Sequence, residues 1–273
     1  MARKRILVIG GNGYIGSSLV RKLEKQFDVT LLVRKRVDRK CVVGDLMNKE
    51  SLKCVKDFDI VVNLASVVKS FNKMRYGENV LGLRNLVESL TENGVKKLVY
   101  FSTQNVHLKN KSWYARSKKE AEEILIKSKL NYIIIRPNYV YDIGGGNRFY
   151  QMADLIYRYN VALIIGNGEN KIQPVLRDEL ADAVVKLIKN YRKGIFEISG
   201  ESISINQIIQ KISDKLGKKP IVIHINLGLL KLVRFLIPFD VDGADEDRVS
   251  VAPVKGYFSS FNDNLGRIVN LIK

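Results

Sequence analysis

Arg5-Ile6-Leu7-Val8-Ile9-Gly10-Gly11-Asn12-Gly13-Tyr14-Ile15-Gly16, running on through Ser17 to Gln26 and into Val29-Thr30-Leu31-Leu32-Val33-Arg34, is the stretch that decides the fold. Ile6 to Ile9 is a short, β-branched apolar run, the pattern of a strand buried on both faces. Gly10, Gly13 and Gly16 follow at three-residue spacing. A tight turn needs a residue that tolerates positive φ, and a pyrophosphate needs backbone without side chains in the way. A helix starting near Gly13 points its free N–H groups and positive dipole end at such a phosphate. Ser17 to Gln26 has the spacing of an amphipathic helix, and Val29 to Val33 reads as the next strand. Glycines so placed, between a strand and a helix in a unit of about 30 residues, form a dinucleotide-binding signature.

Working outward, the pattern repeats. Val42-Val43 reads as a short strand and Lys49 to Val55 as a short helix. Asp59 to Leu64 is a buried strand, and Glu78 to Glu92 a helix that stops at Asn93-Gly94. Lys97 to Phe101 is a strand, Ser112 to Lys127 a helix, and Tyr132 to Ile135 a strand closed by Arg136-Pro137. Strands alternating with helices imply an α/β fold, a doubly wound parallel sheet of the Rossmann type. In such sheets ligands lie at the carboxyl ends of the strands. Those ends supply Gly10, Gly13, Tyr14, Ile15, Gly16, Arg34, Asp45, Leu46, Leu64, Ala65, Ser66, Ser102, Thr103, Arg136, Pro137 and Asn138.

Later segments are less regular. Arg148 to Tyr159 and Asp178 to Lys189 read as helices, Val161 to Ile165, Ile195 to Ile198 and Ile221 to Ile225 as strands. Ser204 to Leu216 reads as a helix capped by Ser204. The expected organisation is a nucleotide-binding domain over 1–165 and a smaller C-terminal substrate-binding lobe over 166–273, the two interleaved. The 273 residues suffice for this.

No run approaches the ~20 apolar residues of a membrane span, and the N-terminal apolar run breaks at Gly10-Gly11 in the manner of a strand rather than a leader. Two cysteines, Cys41 and Cys54, match no metal spacing and are expected as buried thiols in a reducing cytoplasm. His107 and His224, the two histidines, are expected to be structural. The net charge of +18 favours anionic partners. Its cations are spread along the chain without a nucleic-acid motif, so no specific nucleic-acid partner is expected. The apolar stretch 227–239 reads as a core helix or as an interfacial anchor for a membrane surface, with Lys231 and Arg234 suited to anionic lipid.

Tyr114-Ala-Arg-Ser-Lys118 opens the helix after the Ser102-Thr103 strand end. Residues four apart share a helix face. A neighbouring ammonium and a cationic nicotinamide both favour the phenolate, so the phenol's proton affinity is expected to fall, which makes Tyr114 a general acid or base for an alcohol–carbonyl couple. Lys118 would tune it and hold ribose hydroxyls, and Ser102 or Thr103 would bond the substrate oxygen. Alone, Tyr-x-x-x-Lys is as well explained by a surface pair on a helix.

The order of features is more specific. A glycine-rich βαβ start, Asp45-Leu46, Ser102-Thr103, Tyr114-x-x-x-Lys118 and Arg136-Pro137 together resemble the short-chain dehydrogenase/reductase superfamily. The GxxGxxG spacing resembles its extended and atypical branches, the NAD-dependent epimerases, dehydratases and reductases of nucleotide sugars. The resemblance implies that Asp45 and Leu46 lie against adenine, Ala65 beside the cofactor and Asn79 behind the site. Arg136-Pro-Asn-Tyr-Val-Tyr141 resembles the "RPxxVYG" segment of those families. Where they carry "SSxxVYG", this chain has Ser102-Thr-Gln-Asn-Val-His107, an alignment that favours Thr103 as the active hydroxyl. The Gln173-Pro-Val segment and the short span from Thr103 to Tyr114 resemble the atypical group that includes the NADPH-binding accessory subunit of respiratory complex I.

The end of the second strand selects the cofactor. A carboxylate there binds a ribose 2′-hydroxyl, whereas an arginine accommodates a 2′-phosphate. The chain has Arg34-Lys35-Arg36 and no acid before Asp38, so NADP is expected ahead of NAD. Two readings follow: an NADP-dependent oxidoreductase, epimerase or dehydratase acting on a hydroxyl or keto group of a nucleotide-linked sugar, as monomer or homodimer, cytoplasmic or peripheral to a membrane; or a catalytically silent NADPH-binding scaffold or redox-sensing subunit, associated with a membrane or not.

Overall fold

The computed structural model describes residues 3–144, 147–232, 242–243, 245–250, 254 and 258–273. Its centre is a seven-stranded parallel sheet. Strand β1 (Arg5–Ile9) lies between β2 (Asp28–Val33) and β4 (Ile60–Asn63). Outward from β2 comes β3 (Cys41–Val43). Outward from β4 come β5 (Lys97–Phe101), β6 (Asn131–Pro137) and β11 (Gly194–Ile198). Strand order reverses between β1 and β4, the switch point at which such sheets open a crevice.

Alternation along β1 explains the winding. Ile6 and Val8 point to the face covered by α1 (Tyr14–Leu23) and α5 (Arg177–Lys189), packing with Leu19, Leu23, Leu180 and Val184. Leu7 and Ile9 point to the face covered by α2 (Gly77–Glu92) and α3 (Trp113–Lys127), packing with Leu83, Leu86, Ala121 and Leu125. All four β1 residues are buried, as a strand sandwiched by helices requires. On their shared face, α1 and α5 are also joined by Arg21–Asp178 at 3.1 Å and Lys22–Asp182 at 2.5 Å.

A second core forms the smaller lobe. Strand β7 (Tyr139–Tyr141) pairs with β10 (Pro174–Leu176), β9 (Lys171–Ile172) with β12 (Ile203–Ser204), and β8 (Val161–Ile165) with β13 (Ile221–Ile225). Helices α4 (Arg148–Tyr159), α6 (Ile205–Leu216) and α8 (Phe261–Asn270) cover them. Tyr141, Phe149 and Phe261 meet edge to face with centroids 5.0–5.4 Å apart. Ser204 caps α6 in a reciprocal box with Gln207, as its position before an apolar period implies. The two lobes interleave along the chain: α5 and β11 return to the sheet after the smaller lobe has begun.

Several expectations are corrected. The short helix expected over Lys49 to Val55 is a 3-10 helix, Lys49–Asp57. The pairs β7–β10 and β9–β12 carry no strong local signal, whereas helix α8, absent from the expected elements, has Phe261, Leu265, Ile268 and Val269 at helical spacing. Cys41 and Cys54 are half-buried rather than buried, each sulfur donating to a nearby carbonyl, Val37 and Ser51. Of the stretch 227–239, α7 covers Leu227–Leu232 and the remainder lies outside the described residues. No helix among the described residues is long and apolar enough to cross a membrane.

Candidate active site and cofactor cleft

The glycine turn is built for close backbone approach. Gly10 has φ +80°, and a Cβ there would lie 2.7 Å from the Ala65 nitrogen. A Cβ on Gly16 would lie 2.2 Å from the Gly10 carbonyl oxygen. Gly13 donates to Gly10 O at 3.1 Å and stands as the N-cap of α1 without a side chain to satisfy the helix's first N–H groups. The turn therefore presents bare donors at the switch point between β1 and β4, the arrangement an anionic pyrophosphate fits. Ile15 packs inward against the sheet, while Tyr14 is about half exposed beneath the Arg177 guanidinium, 4.8 Å from its ring.

At the end of β2, Arg34, Lys35 and Arg36 are exposed. Asp45 is pinned by its own turn, accepting from Met47 N at 2.9 Å, and Leu46 packs on Gly82 of α2. After β4, Leu64, Ala65 and Ser66 run beneath α2. Asn79 fixes this run with every polar atom it has. Its amide donates to Val67 O at 3.1 Å and Ser117 Oγ at 3.0 Å, and its carbonyl accepts from Val67 N at 2.7 Å and Ser66 Oγ at 3.1 Å. Asn79 thereby ties the cleft floor to α3, the helix that bears Tyr114 and Lys118.

At the end of β5 the two hydroxyls differ. Thr103 Oγ1 accepts from Asn105 N at 3.3 Å and caps a 3-10 turn, whereas Ser102 Oγ is buried without a hydrogen-bond partner among the described residues. Lys118 is almost wholly buried, its ammonium donating to Phe101 O at 2.7 Å and lying 4.6 Å from the Tyr100 ring and 6.0 Å from the Tyr114 ring. The structure thus brings Tyr114, Lys118 and the Ser102-Thr103 strand end together. Burial pushes Tyr114's phenol above its ordinary value, and Lys118 turns its ammonium to the Phe101 carbonyl; the expected fall called on a cationic nicotinamide as well as on Lys118. Burial brings Lys118 down to about 7, with the Glu122 carboxylate opposing.

Behind Lys118 sits a charged cluster that the motif reading missed. Arg136 donates to Glu122 at 3.0 and 2.6 Å and reaches Glu197 at 3.4 Å. His107 Nε2 lies 2.7 Å from Glu197 and 2.9 Å from Arg136. Glu122, one helical turn beyond Lys118, was legible from its spacing; Glu197 on the far strand β11 had no local signal. Pro137 pairs with Ile198 at the same sheet edge. Asn138 joins the lobes, donating to Arg248 O at 2.7 Å and accepting from Gln173 N at 3.3 Å. His224 Nδ1 meets Gly166 O at 2.8 Å. Among the described residues no group of histidine, cysteine and carboxylate side chains could hold a metal ion.

A parallel sheet reversing at a glycine cradle is the architecture of an NAD(P)-dependent enzyme of the short-chain dehydrogenase/reductase type. Residues 6–199 match the model of the NAD dependent epimerase/dehydratase family, and the chain belongs to that family. Similar proteins include an N-acetyl-alpha-D-glucosaminyl-diphospho-ditrans,octacis-undecaprenol 4-epimerase from Escherichia coli O157:H7, 24% identical over 82% of this chain and 77% of that one. The photosystem II assembly factor Ycf39 of Cyanophora paradoxa is 24% identical over 98% and 86%. Among solved structures, the UDP-glucose 4-epimerase of Thermus thermophilus in complex with NAD superposes with TM-score 0.73 at 21% identity, covering 98% of each chain.

Proposed function

We propose that this chain is an NADP-dependent oxidoreductase, epimerase or dehydratase acting on a hydroxyl or keto group of a nucleotide-linked sugar. The observation that carries the reading is the convergence of the Lys118 ammonium, the Tyr114 ring and the Ser102-Thr103 strand end beside the glycine cradle. In this reading Gly10, Gly13, Tyr14, Ile15 and Gly16 hold the pyrophosphate, and Arg34 takes the 2′-phosphate. Asp45 and Leu46 lie against adenine. Leu64, Ala65, Ser66 and Asn79 form the floor, and Pro137 and Asn138 close the nicotinamide end. Bound there, the nicotinamide supplies the hydride.

The protein's own residues handle the proton. Tyr114, whose phenol burial holds above its ordinary value, donates to a substrate oxygen in the reductive direction and, as the phenolate, takes a proton back in the oxidative one. Lys118 holds ribose hydroxyls, and as an ammonium 6.0 Å from the Tyr114 ring it lowers the cost of the phenolate. Thr103, aligned with the active hydroxyl of the family, and Ser102, whose buried hydroxyl lacks a partner among the described residues, are the two candidates for fixing the substrate oxygen. The sugar–diphosphate unit named for the Escherichia coli relative is the chemistry this site would share, carried here on a nucleotide. Monomer or homodimer, cytoplasmic or resting on a membrane through residues 227–239, the chain would meet its substrate in the cleft between the lobes.

The test is turnover of a panel of nucleotide sugars with NADPH or NADP, alongside mass spectrometry of whatever nucleotide and sugar are released from the purified protein on denaturation. Tyr114→Phe should lower turnover by about 10²–10⁴-fold and leave NADPH binding within a few-fold. Turnover that survives this change excludes the proton role. NADPH stabilising the fold with no substrate turned over favours the scaffold reading instead.

A further inference from the structure

The loop leaving β4, Ser66-Val-Val-Lys-Ser-Phe-Asn-Lys-Met-Arg-Tyr76, combines order with exposure. Its two ends are tied down. Asn79 holds Ser66 and Val67, the Tyr76 hydroxyl accepts from Ser70 N at 3.2 Å, and Asn72 caps the 3-10 turn Lys73–Tyr76 by accepting from Met74 N at 3.0 Å. On this fixed platform Val68, Phe71 and Met74 are 53%, 67% and 85% exposed. Trp113, 41% exposed, adjoins them: Lys73 Nζ lies 5.5 Å and the Arg116 guanidinium 5.3 Å from its ring.

Apolar side chains held out into water by an ordered loop mark an interaction surface. The chemistry around them selects the partner. Lys69, Lys73, Arg75 and Arg116 alternate with the apolar tips, and the nearby Glu78 is engaged by Arg75 at 3.0 Å. Aromatic and aliphatic tips interleaved with lysine and arginine match an anionic bilayer interface, where tips enter the headgroup region and cations meet lipid phosphates. The net charge of +18 acts in the same sense at longer range.

We propose that Val68, Phe71, Met74 and Trp113, ringed by Lys69, Lys73 and Arg116, form a docking surface for an anionic lipid membrane. The surface is distinct from residues 227–239. It adjoins the cleft: the loop continues directly from Leu64-Ala65-Ser66, and Trp113 precedes Tyr114. Docking through it turns the cleft mouth, where the proposed function places the nucleotide-linked sugar, toward the bilayer. That last consequence rests on the proposed function; the docking itself does not.

Trp113 is the chain's single tryptophan, so its fluorescence reports on this surface alone. The full chain is titrated with vesicles of phosphatidylcholine and phosphatidylglycerol in equal parts, and with phosphatidylcholine alone. The expected result is a blue shift with the anionic vesicles, quenching when their acyl chains are brominated, and no response to the neutral ones. A Phe71→Asp, Met74→Asp double variant and a Lys69→Glu, Lys73→Glu double variant should each weaken partitioning by ~10-fold or more. Matched melting temperatures show that the variants fold, and Phe71→Ser, Met74→Ser replaces the first pair if they do not match. Vesicle flotation with Trp113 unquenched assigns binding to another face and overturns the proposal, as does no flotation at all. A wild-type dimer that the first double variant converts to monomer, without any vesicle response, also overturns it in favour of a second copy of the chain. No arm depends on turnover, so a failed enzyme assay leaves the result readable.

Discussion

Arg136 closes two hydrogen bonds, of 3.0 and 2.6 Å, onto the carboxylate of Glu122, one helical turn beyond Lys118. Glu197 approaches the same guanidinium at 3.4 Å. Two buried carboxylates thus share one arginine, with His107 at the rim and Lys118 as the next cation along α3. Tyr100 and Tyr114 face Lys118 from β5 and from its own helix. Removing the Glu122 charge should therefore do two things. A Glu122→Gln variant should lose about 3 kcal/mol, because the half-buried Arg136 then keeps Glu197, at 3.4 Å, as its one carboxylate among the described residues; urea denaturation measures this. It should also make Lys118 easier to deprotonate, moving the alkaline limb of any pH–rate profile to lower pH.

Lys118 makes a separate statement about stability. Burial brings its ammonium down from 10.5 to about 7. Between those values the unfolded chain holds a proton that the folded chain has released. Stability therefore rises with pH across that window, and the cost of the buried charge is fully expressed below it. Calorimetry should show the melting temperature of a Lys118→Met variant gaining on wild type as pH falls toward 7, and the advantage shrinking as pH rises toward 10.5. A difference that does not vary with pH refutes the buried, shifted lysine.

The cradle offers a third test. An added Cβ at Gly16 falls 2.2 Å from the Gly10 carbonyl oxygen, which is backbone and cannot swing aside. A Gly16→Ala variant should lose about 1–3 kcal/mol from overpacking and should bind NADPH more weakly than the fold loss alone explains. Isothermal calorimetry below the variant's melting point separates the two.

Cofactor preference is the fourth. If Arg34 pairs with a 2′-phosphate, Arg34→Glu should weaken NADPH about tenfold or more, the equivalent of a lost charge-assisted hydrogen bond. NADH, which lacks that phosphate, should lose little. Equal losses for both cofactors, or wild-type NADH binding as tight as NADPH, would remove Arg34 from this role.

Sequence alone carried the β1–α1–β2 unit, the doubly wound class and the position of Tyr114 and Lys118. Each of these depends on local periodicity, on glycine's freedom at a turn, or on a four-residue helical spacing, all of which are written in neighbouring residues. Tertiary structure decided the rest. The pairs β7–β10 and β9–β12 involve two or three residues a strand, too short to stand out locally, and exist because distant segments bury Tyr141 and Ile172 together. Glu197 reaches Arg136 only because β11 returns to the sheet beside β6. Lys118's ammonium finds the Phe101 carbonyl on β5, a partner that no spacing within α3 could announce, and burial raises Tyr114's phenol. Local pattern specifies elements and turns; the charge state of a side chain depends on what is packed against it, and that is settled only when the elements meet.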